Sequence, residues 1–475
     1  MAMAPPLEDL AAGKVSQMKT GGLCVSLTPG NLDDVFASDV SGADCVEVRL
    51  DYLSDPQSSI HARWDRLPAP VIATCRGKER GGLFAGTIEE ETRILEHAAR
   101  NGAQFVDIDY RFAKPFAGAQ VIGSFHDFAA TPADVKATLE RACASAAQIA
   151  KVATFVNSWA DNRCLLDLLS SSWSKPVIVA GMGNMAQITR IIGPSRGSFL
   201  TYASAAAGRE AAPGQITARE MIETYRFRKL RTSTKLIGII GMPLGHSLSP
   251  VLHNRAFEAM GLDFVYMKFP TADVRDFFEN AAAIGIEGFS VTIPHKRAVL
   301  PFLDEQTPEA VEAGAVNTVF RRNGRWIGDN TDVHGVRAAL SAASFDPVGK
   351  KVVILGNGGA AKAAVVALKE AREVVVLSRR EIPDIQQYPC DLLINATPVG
   401  MYPAMDSSPV TGSIPASVVF DMVYNPSITR LLRAAADEGK TIVQGTTMFL
   451  AQAARQFEIW TGVAAPPQIF EREIQ

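Results

Sequence analysis

Short apolar, β-branched runs recur along the first half of the chain, at 24–28, 45–51, 71–76, 105–110, 121–127, 149–156, 177–183 and 199–205. Most are apolar throughout rather than alternating, the pattern of strands covered on both faces. Between them lie stretches of helical period such as 89–101 and 132–147. Eight strand–helix units of about 25 residues each are the arithmetic of a (β/α)8 barrel; an open doubly wound sheet is the alternative. The interval between the fourth and fifth runs is too short for a full helix, so the barrel is expected to be irregular there. A second α/β pattern starts at 235 with KLIGIIG, a helix over 249–261, FVYMKF, a helix over 273–285 and GFSVT. From 351, KVVILGNGGAAKAAVVALKE reads as strand, glycine turn and helix. The expected fold class is α/β: an N-terminal (β/α)8 barrel followed by a two-lobed α/β unit with a Rossmann-like lobe.

Composition narrows the class of protein. At 475 residues the chain is long enough for about three domains. Lys plus Arg total 47 against 50 for Asp plus Glu, a formal charge of -3. With no long basic run, this argues against a nucleic-acid or membrane-surface binder that works through a basic face. No uninterrupted apolar stretch is long enough to span a bilayer. The cysteines, Cys24, Cys45, Cys75, Cys143, Cys164 and Cys390, form no CxxC pair, which argues against a zinc ribbon and fits reduced thiols in a cytoplasm. Residues 1–20 show neither a secretion signal nor a transit peptide and read as a loose leader. The basic stretch RFRKLRTSTK reads as a solvated linker between the two patterns.

Charged residues interrupt or end the apolar runs of the barrel: Glu47, Arg49, Arg76, Asp109, His126 and Lys151. The carboxyl ends of barrel strands form the active face. Several have bland readings taken singly, Arg49 and Asp51 as a surface pair, His126 as a core histidine. Lys151 in QIAKVATFV differs, because a strand buried on both faces does not carry an ammonium without a use for it. A lysine in an apolar, electropositive pocket suits Schiff-base chemistry. At the ordinary lysine pKa of about 10.4, about one amine in 2500 is neutral at pH 7, a penalty of about 4.6 kcal/mol, which cationic neighbours reduce. His126 has the side chain for acid–base work at neutral pH. Arg196, in GPSRGS, is the expected two-pronged clamp for a substrate carboxylate.

The segments EVRLD, ATCRG, SFHDF, KVAT, GMG and APGQ, in that order over roughly 21–228, resemble type I 3-dehydroquinate dehydratase, a Schiff-base (β/α)8 lyase. The resemblance implies Lys151 as the iminium-forming residue and His126 as the general acid/base. It implies Glu47, Arg49, Arg76, Arg196 and Gln215 as binders of the substrate's hydroxyls and carboxylate. Two positions depart from the family. Arg80 stands directly before Gly81 and Gly82, where the family has a glutamate that orients the histidine; Glu79, one position away, is the expected substitute. Ala211 stands where the family commonly has serine, which removes one hydroxyl contact. Both bear on the loops over the site and leave open an impaired dehydratase half.

In the second pattern, Gly356, Asn357, Gly358, Gly359 and Ala360 let the backbone approach a pyrophosphate at a helix N-terminus, with GxGG rather than GxGxxG spacing. EVVVL ends in Ser378, Arg379 and Arg380; an arginine there suits the 2′-phosphate of NADP, where an acid would suit NAD. The ordered motifs GMPLGHSLSPVLHN, FSVTIPHK, AGAVNTV, GDNTDVHG, NATPVGM, DMVYNP and MFLAQAA resemble shikimate dehydrogenase over roughly 235–475. By that resemblance Ser247 and Ser249 hold the substrate carboxylate, and Thr292, Asn317, Tyr424 and Gln452 make further substrate contacts. Thr397 joins the cofactor residues, and Lys296 with Asp332 forms the catalytic pair. Ser249 and Thr292 keep their hydroxyls at positions that bear on shikimate versus quinate, which favours shikimate. His295, beside Lys296, is expected at the surface.

The whole chain thus resembles a bifunctional 3-dehydroquinate dehydratase–shikimate dehydrogenase. The expected division is a leader over 1–20, a barrel over 21–228, a linker over 229–235, a shikimate-binding lobe over 236–336 completed by about 446–475, and an NADP-binding lobe over 337–445. The expected partners are small molecules (3-dehydroquinate, 3-dehydroshikimate and shikimate), with NADP as cofactor, no metal, no nucleic acid and no membrane, in a cytoplasmic monomer. A regulatory relative that senses such intermediates would have lost nucleophile or hydride chemistry, whereas Lys151, His126, Lys296 and Asp332 are all present.

Overall fold

The computed structural model describes residues 20–245 and 247–472, so the leader expected over 1–20 lies outside the described residues except for Thr20. The described residues form two compact units, one from residues 20–235 with 267–285, the other from residues 236–266 with 286–472.

The first unit holds eight strands: β1 (Gly22–Leu27), β2 (Cys45–Arg49), β3 (Val71–Thr74), β4 (Phe105–Asp109), β5 (Gln120–Asp127), β6 (Ile149–Phe155), β7 (Val177–Met182) and β8 (Leu200–Ser204). They pair in the order β7-β6-β5-β4-β3-β2-β1-β8. The Phe199 amide donates to the Val177 carbonyl at 2.7 Å, which returns the chain entering β8 to β7 and rounds the sheet into a barrel. An open doubly wound sheet is thereby set aside. Between β4 and β5 only the short helical turn Tyr110–Phe112 forms, the expected irregularity. The basic linker is anchored rather than free: Arg228 pairs with Asp44 at 2.8 Å.

Side chains alternate along a strand, so the barrel interior is tiered. Cys24, Cys45, Ile72, Phe105, Ile122, Ile149, Ile178 and Leu200 form an apolar tier. Two residues further along the same strands stand Ser26, Glu47, Thr74, Asp107, Ser124 and Lys151, all buried. Two further again, at the carboxyl ends, stand Arg49, Arg76 and His126. The strand alternation that builds the core therefore also aims the charges at one mouth.

Beyond the barrel strands the chain forms two more sheets. One runs β10-β9-β11-β13-β14-β12, with β9 (Lys235–Gly241), β10 (Phe264–Pro270), β11 (Ile286–Val291), β12 (Glu305–Gln306), β13 (Thr318–Arg322) and β14 (Arg325–Asp329). The other is parallel, β16-β15-β17-β18-β19, with β15 (Lys351–Leu355), β16 (Glu373–Leu377), β17 (Cys390–Asn395), β18 (Ala416–Asp421) and β19 (Thr441–Gln444). The long helix Gly445–Thr461 sends Phe449, Ala453, Phe457 and Trp460 into the core of the first of these sheets.

His253, on the helix Ser249–Ala259, is fully buried, stacked on Tyr266 with 4.5 Å between ring centroids and edged by Trp460 and Phe470. Neither ring nitrogen has a hydrogen-bond partner among the described residues, and burial lowers its pKa to about 3. The unfolded chain takes up a proton near pH 6.5 that the folded chain refuses, so stability falls as pH drops below about 6.5 and levels off only near the folded value. Between pH 6.5 and 4.5, denaturant unfolding of the wild type is expected to lose about 2 kcal/mol more than that of His253→Leu. Equal losses would mean that the folded imidazole is already protonated.

Candidate active sites

In the barrel, Lys151 on β6 donates from Nζ to Asp107 Oδ2 at 2.7 Å, lies 4.0 Å from Glu47 Oε1, and sits 4.1 Å above the Tyr202 ring. Its side chain is 5% exposed, so these contacts replace water. Asp107 on β4 also accepts from Arg76 at 3.1 Å and from Ser124 at 2.6 Å. Burial alone would raise the Asp107 carboxyl, but the Lys151 ammonium and Arg76 guanidinium outweigh it and hold the group well below the usual carboxylate range. Glu47 accepts from Ser26 at 2.8 Å and Thr74 at 3.0 Å. His126, on β5, faces a polar cavity of about 80 Å³ whose walls include Arg76, Asp107 and Glu79. Burial, then Arg76 and Lys151, lowers the imidazole well below its ordinary pKa. That direction favours the neutral imidazole.

Arg49 forms a two-pronged pair with Asp51 at 3.0 and 2.7 Å and reaches the Ala211 carbonyl at 3.4 Å. Asp51 also accepts from the Leu83 amide at 3.0 Å. One buried carboxylate thus ties Arg49 to the loop after β3, and Arg49 touches the loop after β8. Gln215 accepts from the Ala211 amide at 2.7 Å and lies 3.4 Å from Ser26 Oγ. Where Ala211 lacks a hydroxyl, its backbone is nonetheless held on both sides. Arg80 pairs with Glu91 of the helix Ile88–Arg100. Burial raises the Glu91 carboxyl to about 7 despite the opposing Arg80 guanidinium. Glu79 lines the same cavity as His126.

Arg196 requires a correction. It ends the turn Pro194–Arg196 ahead of β8, at the amino-terminal mouth, and donates to the Ile284 carbonyl at 2.9 Å within the same unit. A residue between helix and strand cannot reach the carboxyl face. The arginine on the Glu47 side is Arg190, 3% exposed in the helix Gln187–Ile192, donating to the Tyr202 carbonyl at 3.3 Å. Burial pushes it down to about 10 against the pull of Glu47. Its Nε has no partner among the described residues, an unspent donor. The sequence reading missed Arg190, Asp107 and Tyr202.

In the second unit, Lys296 pairs with Asp332 Oδ2. Asn317 donates to Asp332 Oδ1 at 2.8 Å and lies 3.4 Å from Gln452 Oε1. Ser249 is buried at the start of its helix, and Ser247 is half-buried just before it. A β-carbon on Gly241 would stand 2.4 Å from the Thr292 methyl, so the glycine makes room for that threonine. Tyr424 stacks on Phe449 with 4.3 Å between centroids. His295 is buried, contrary to expectation; it lies one residue from Lys296, in the turn packed after β11.

The residues present fit a dinucleotide. Gly356 has φ +100°, which side-chain-bearing residues rarely adopt, and Gly358 faces open space with nothing within 4 Å of a would-be β-carbon. The helix Gly359–Ala367 has no side-chain cap, so its first amides remain free to meet phosphate. Asn357 and Ala360 belong to this turn and first helical residues; Thr397 stands against Gly356, its Cγ2 3.0 Å from the would-be β-carbon. Ser378 is fixed by Glu381, and Arg379 is exposed beyond β16. A β-carbon on Gly359 would meet Lys296 Cδ at 3.0 Å, so the glycine turn abuts the lysine–carboxylate pair.

Two chemistries are available to these groups. A buried amine flanked by carboxylates and an imidazole can form and discharge an imine, and an ammonium–carboxylate pair against a nucleotide cradle can exchange a proton with an alcohol as it is oxidised. A protein equipped for both is an imine-forming lyase fused to a nicotinamide-dependent dehydrogenase. Residues 23–232 match the Type I 3-dehydroquinase family, residues 239–319 the shikimate dehydrogenase substrate binding domain, and residues 445–475 the Shikimate 5'-dehydrogenase C-terminal domain. A bifunctional 3-dehydroquinate dehydratase/shikimate dehydrogenase of Arabidopsis thaliana, described as chloroplastic, is 34% identical over 90% of this chain and 79% of its own length. The chain belongs to the bifunctional 3-dehydroquinate dehydratase/shikimate dehydrogenase family. A shikimate dehydrogenase (NADP(+)) of Microcystis aeruginosa is 38% identical over 51% of this chain and 96% of its own. Among solved structures, a shikimate dehydrogenase in complex with NADP+ is 35% identical over 52% of this chain and 96% of its own, with TM-score 0.48. Dehydroquinate dehydratase and shikimate dehydrogenase from S. pombe AroM is 25% identical over 98% of this chain and all of that one, with TM-score 0.41. No helix among the described residues is long and apolar enough to cross a membrane.

Proposed function

We propose that this chain dehydrates 3-dehydroquinate to 3-dehydroshikimate in its first unit and reduces that product to shikimate with NADPH in its second. The observation that carries the first step is Lys151 Nζ at 2.7 Å from Asp107 inside a buried polar tier. The Lys151 amine adds to the C3 carbonyl and water leaves, giving an iminium whose charge the Asp107 carboxylate balances. Neutral His126 removes the C2 proton, the iminium takes up the electron pair, and the pair then returns to expel the C1 hydroxyl, which leaves as water with the imidazolium proton. Hydrolysis of the imine frees the product and Lys151. Glu47, Arg49, Arg76 and Gln215 are proposed to bind the substrate, with Arg190 in the place expected of Arg196.

In the second unit NADPH, when bound along the turn from Gly356 and beside Arg379, supplies the hydride. Lys296 donates the proton that the new alcohol needs, and Asp332 holds the ammonium in place for that transfer. Ser247, Ser249, Thr292, Asn317, Tyr424 and Gln452 are proposed to hold the substrate, with the retained hydroxyls of Ser249 and Thr292 favouring shikimate over quinate.

The direct test feeds 3-dehydroquinate with NADPH and follows loss of reduced-nucleotide absorbance. Steady consumption with NADPH, much slower with NADH, is expected; none with either would overturn the reading. Faster oxidation of quinate than of shikimate would overturn the substrate assignment alone. Arg379→Ala is expected to weaken NADP binding about tenfold or more, equivalent to about 1.4 kcal/mol, and to leave NAD binding unchanged. Equal affinity for NADP in the variant would place the 2′-phosphate elsewhere.

A further inference from the structure

The Lys296–Asp332 pair is the end of a longer buried chain of hydrogen bonds. Tyr266, on β10, donates its phenol to Ser290 Oγ at 2.7 Å, and Ser249 is a second hydrogen-bond partner of that phenol. Ser290, on β11, donates to Gln456 Oε1 at 2.9 Å. Gln456, on the helix Gly445–Thr461, donates from Nε2 to Thr318 Oγ1 at 2.9 Å and to the Asn317 carbonyl at 3.1 Å. Thr318 donates to Asn317 Oδ1 at 2.8 Å, and Asn317 Nδ2 donates to Asp332 Oδ1 at 2.8 Å. Tyr266, Ser290, Gln456, Thr318 and Asn317 are all buried, so water does not substitute for a missing link.

One arrangement of hydrogens uses the shortest of these contacts throughout, with the Thr331 hydroxyl, 3.1 Å from Thr318 Oγ1 and 3.2 Å from Asn317 Oδ1, as a side branch. A carboxylate accepts and never donates, so Asn317 must turn its NH2 to Asp332. Its carbonyl oxygen then faces Thr318 and also the Thr331 amide, which donates to it at 2.8 Å. With its proton committed to Asn317, the Thr318 hydroxyl is left to accept from Gln456. The Asn317 backbone carbonyl also only accepts, so Gln456 must turn its own NH2 that way and its oxygen toward Ser290. Ser290 must then donate, and takes the Tyr266 proton in return. Each bond points toward Asp332, and bonds so aligned polarise one another.

We propose that Gln456, oriented by Ser290 and Tyr266, is a positioning residue of the dehydrogenase: by its bonds to Thr318 and to the Asn317 carbonyl it holds in place the asparagine whose NH2 meets Asp332, and so supports the Lys296–Asp332 pair in its working geometry. This rests on the dehydrogenase reading of the same site. Without Gln456 the Thr318 hydroxyl loses the amide donor that opposes its bond to Asn317 and keeps only the Thr331 hydroxyl at 3.1 Å, the Asn317 carbonyl keeps only the Val291 amide at 2.7 Å, and Ser290 loses its acceptor.

The test is a graded series in the full chain, Tyr266→Phe, Ser290→Ala and Gln456→Leu, assayed for shikimate oxidation with NADP+ as kcat, KM and the pH profile of kcat, with melting temperature and the dehydratase rate as controls. The expected loss of kcat grows toward Asp332: under twofold for Tyr266→Phe, about threefold for Ser290→Ala and about tenfold for Gln456→Leu, with the dehydratase rate unchanged. The acid limb of the kcat profile is expected to move in Ser290→Ala and Gln456→Leu, which lost packing alone would not produce. Lower melting temperatures with wild-type kcat and an unmoved profile would overturn the proposal while leaving the dehydrogenase reading intact. If Gln456→Leu fails to fold, Ser290→Ala decides by the same criteria. A wild-type chain that does not oxidise shikimate overturns both.

Discussion

Lys151→Ala is expected to lose dehydration of 3-dehydroquinate by on the order of 10⁴-fold or more, because no other amine in the polar tier can carry the imine. Oxidation of shikimate should stay within about twofold of wild type, since Lys151 touches only residues of the first unit. Borohydride added with 3-dehydroquinate should leave a reduced adduct on wild-type Lys151, seen as a mass increase on the peptide containing it, and none on the variant. This experiment also addresses the positions that depart from the family. Failure of the wild type to trap an adduct would mean that the Arg80–Glu91 pair and the hydroxyl missing at Ala211 have impaired the site.

Lys296→Ala is expected to do the converse. Shikimate oxidation should fall about 10³-fold, within the range for loss of a general acid–base. Shikimate binding by equilibrium titration should remain near normal, because the hydroxyls of Ser247 and Ser249 and the amide of Gln452 are retained. Dehydration should be unaffected. A cross-effect larger than tenfold in either variant, about 1.4 kcal/mol, would mean that the two units are energetically coupled. A large rise in the shikimate dissociation constant would make Lys296 a binding group before a proton donor.

Much of this architecture is legible in the sequence because strands covered on both faces cannot hide their composition. The eight apolar runs overlap β1–β8, and the short interval after β4 holds only a helical turn as its length requires, whereas the longer interval after β2 lacks an α-helix too and is spanned by the 3-10 turns Leu50–Tyr52, Pro56–His61 and Trp64–Arg66. Lys151 is legible for the same reason, an ammonium inside QIAKVATFV. Arg190 carries that signal too, an arginine among Ile188, Ile191 and Ile192, all buried. The sequence reading chooses Arg196 instead because GPSRGS looks like a binding loop, and composition does not say at which mouth of a barrel a loop lies. In FVDIDY it takes Asp109, the acid at the strand end, whereas Asp107, two residues earlier and so on the same face, is the one that meets Lys151; Asp109 binds Arg111. Ser290 and Gln456 give no signal at all. A neutral polar residue in a strand or long helix looks the same whether it faces water or joins a buried relay, and only packing separates the two.

The tiering of the barrel has a consequence for its evolution. Lys151, Asp107 and Glu47 stand directly on an apolar floor, with Arg76 one tier above them paired to Asp107, and all four are shielded from water. Such a cluster balances its own charge, yet hydrocarbon of equal volume would often hold the fold together as well or better. Turnover and thermal endurance therefore pull in opposite directions at this level of the barrel. Selection for heat resistance alone would erode it from the middle outward, and a lineage released from the need for the reaction should lose these charges together, long before it loses the floor beneath them.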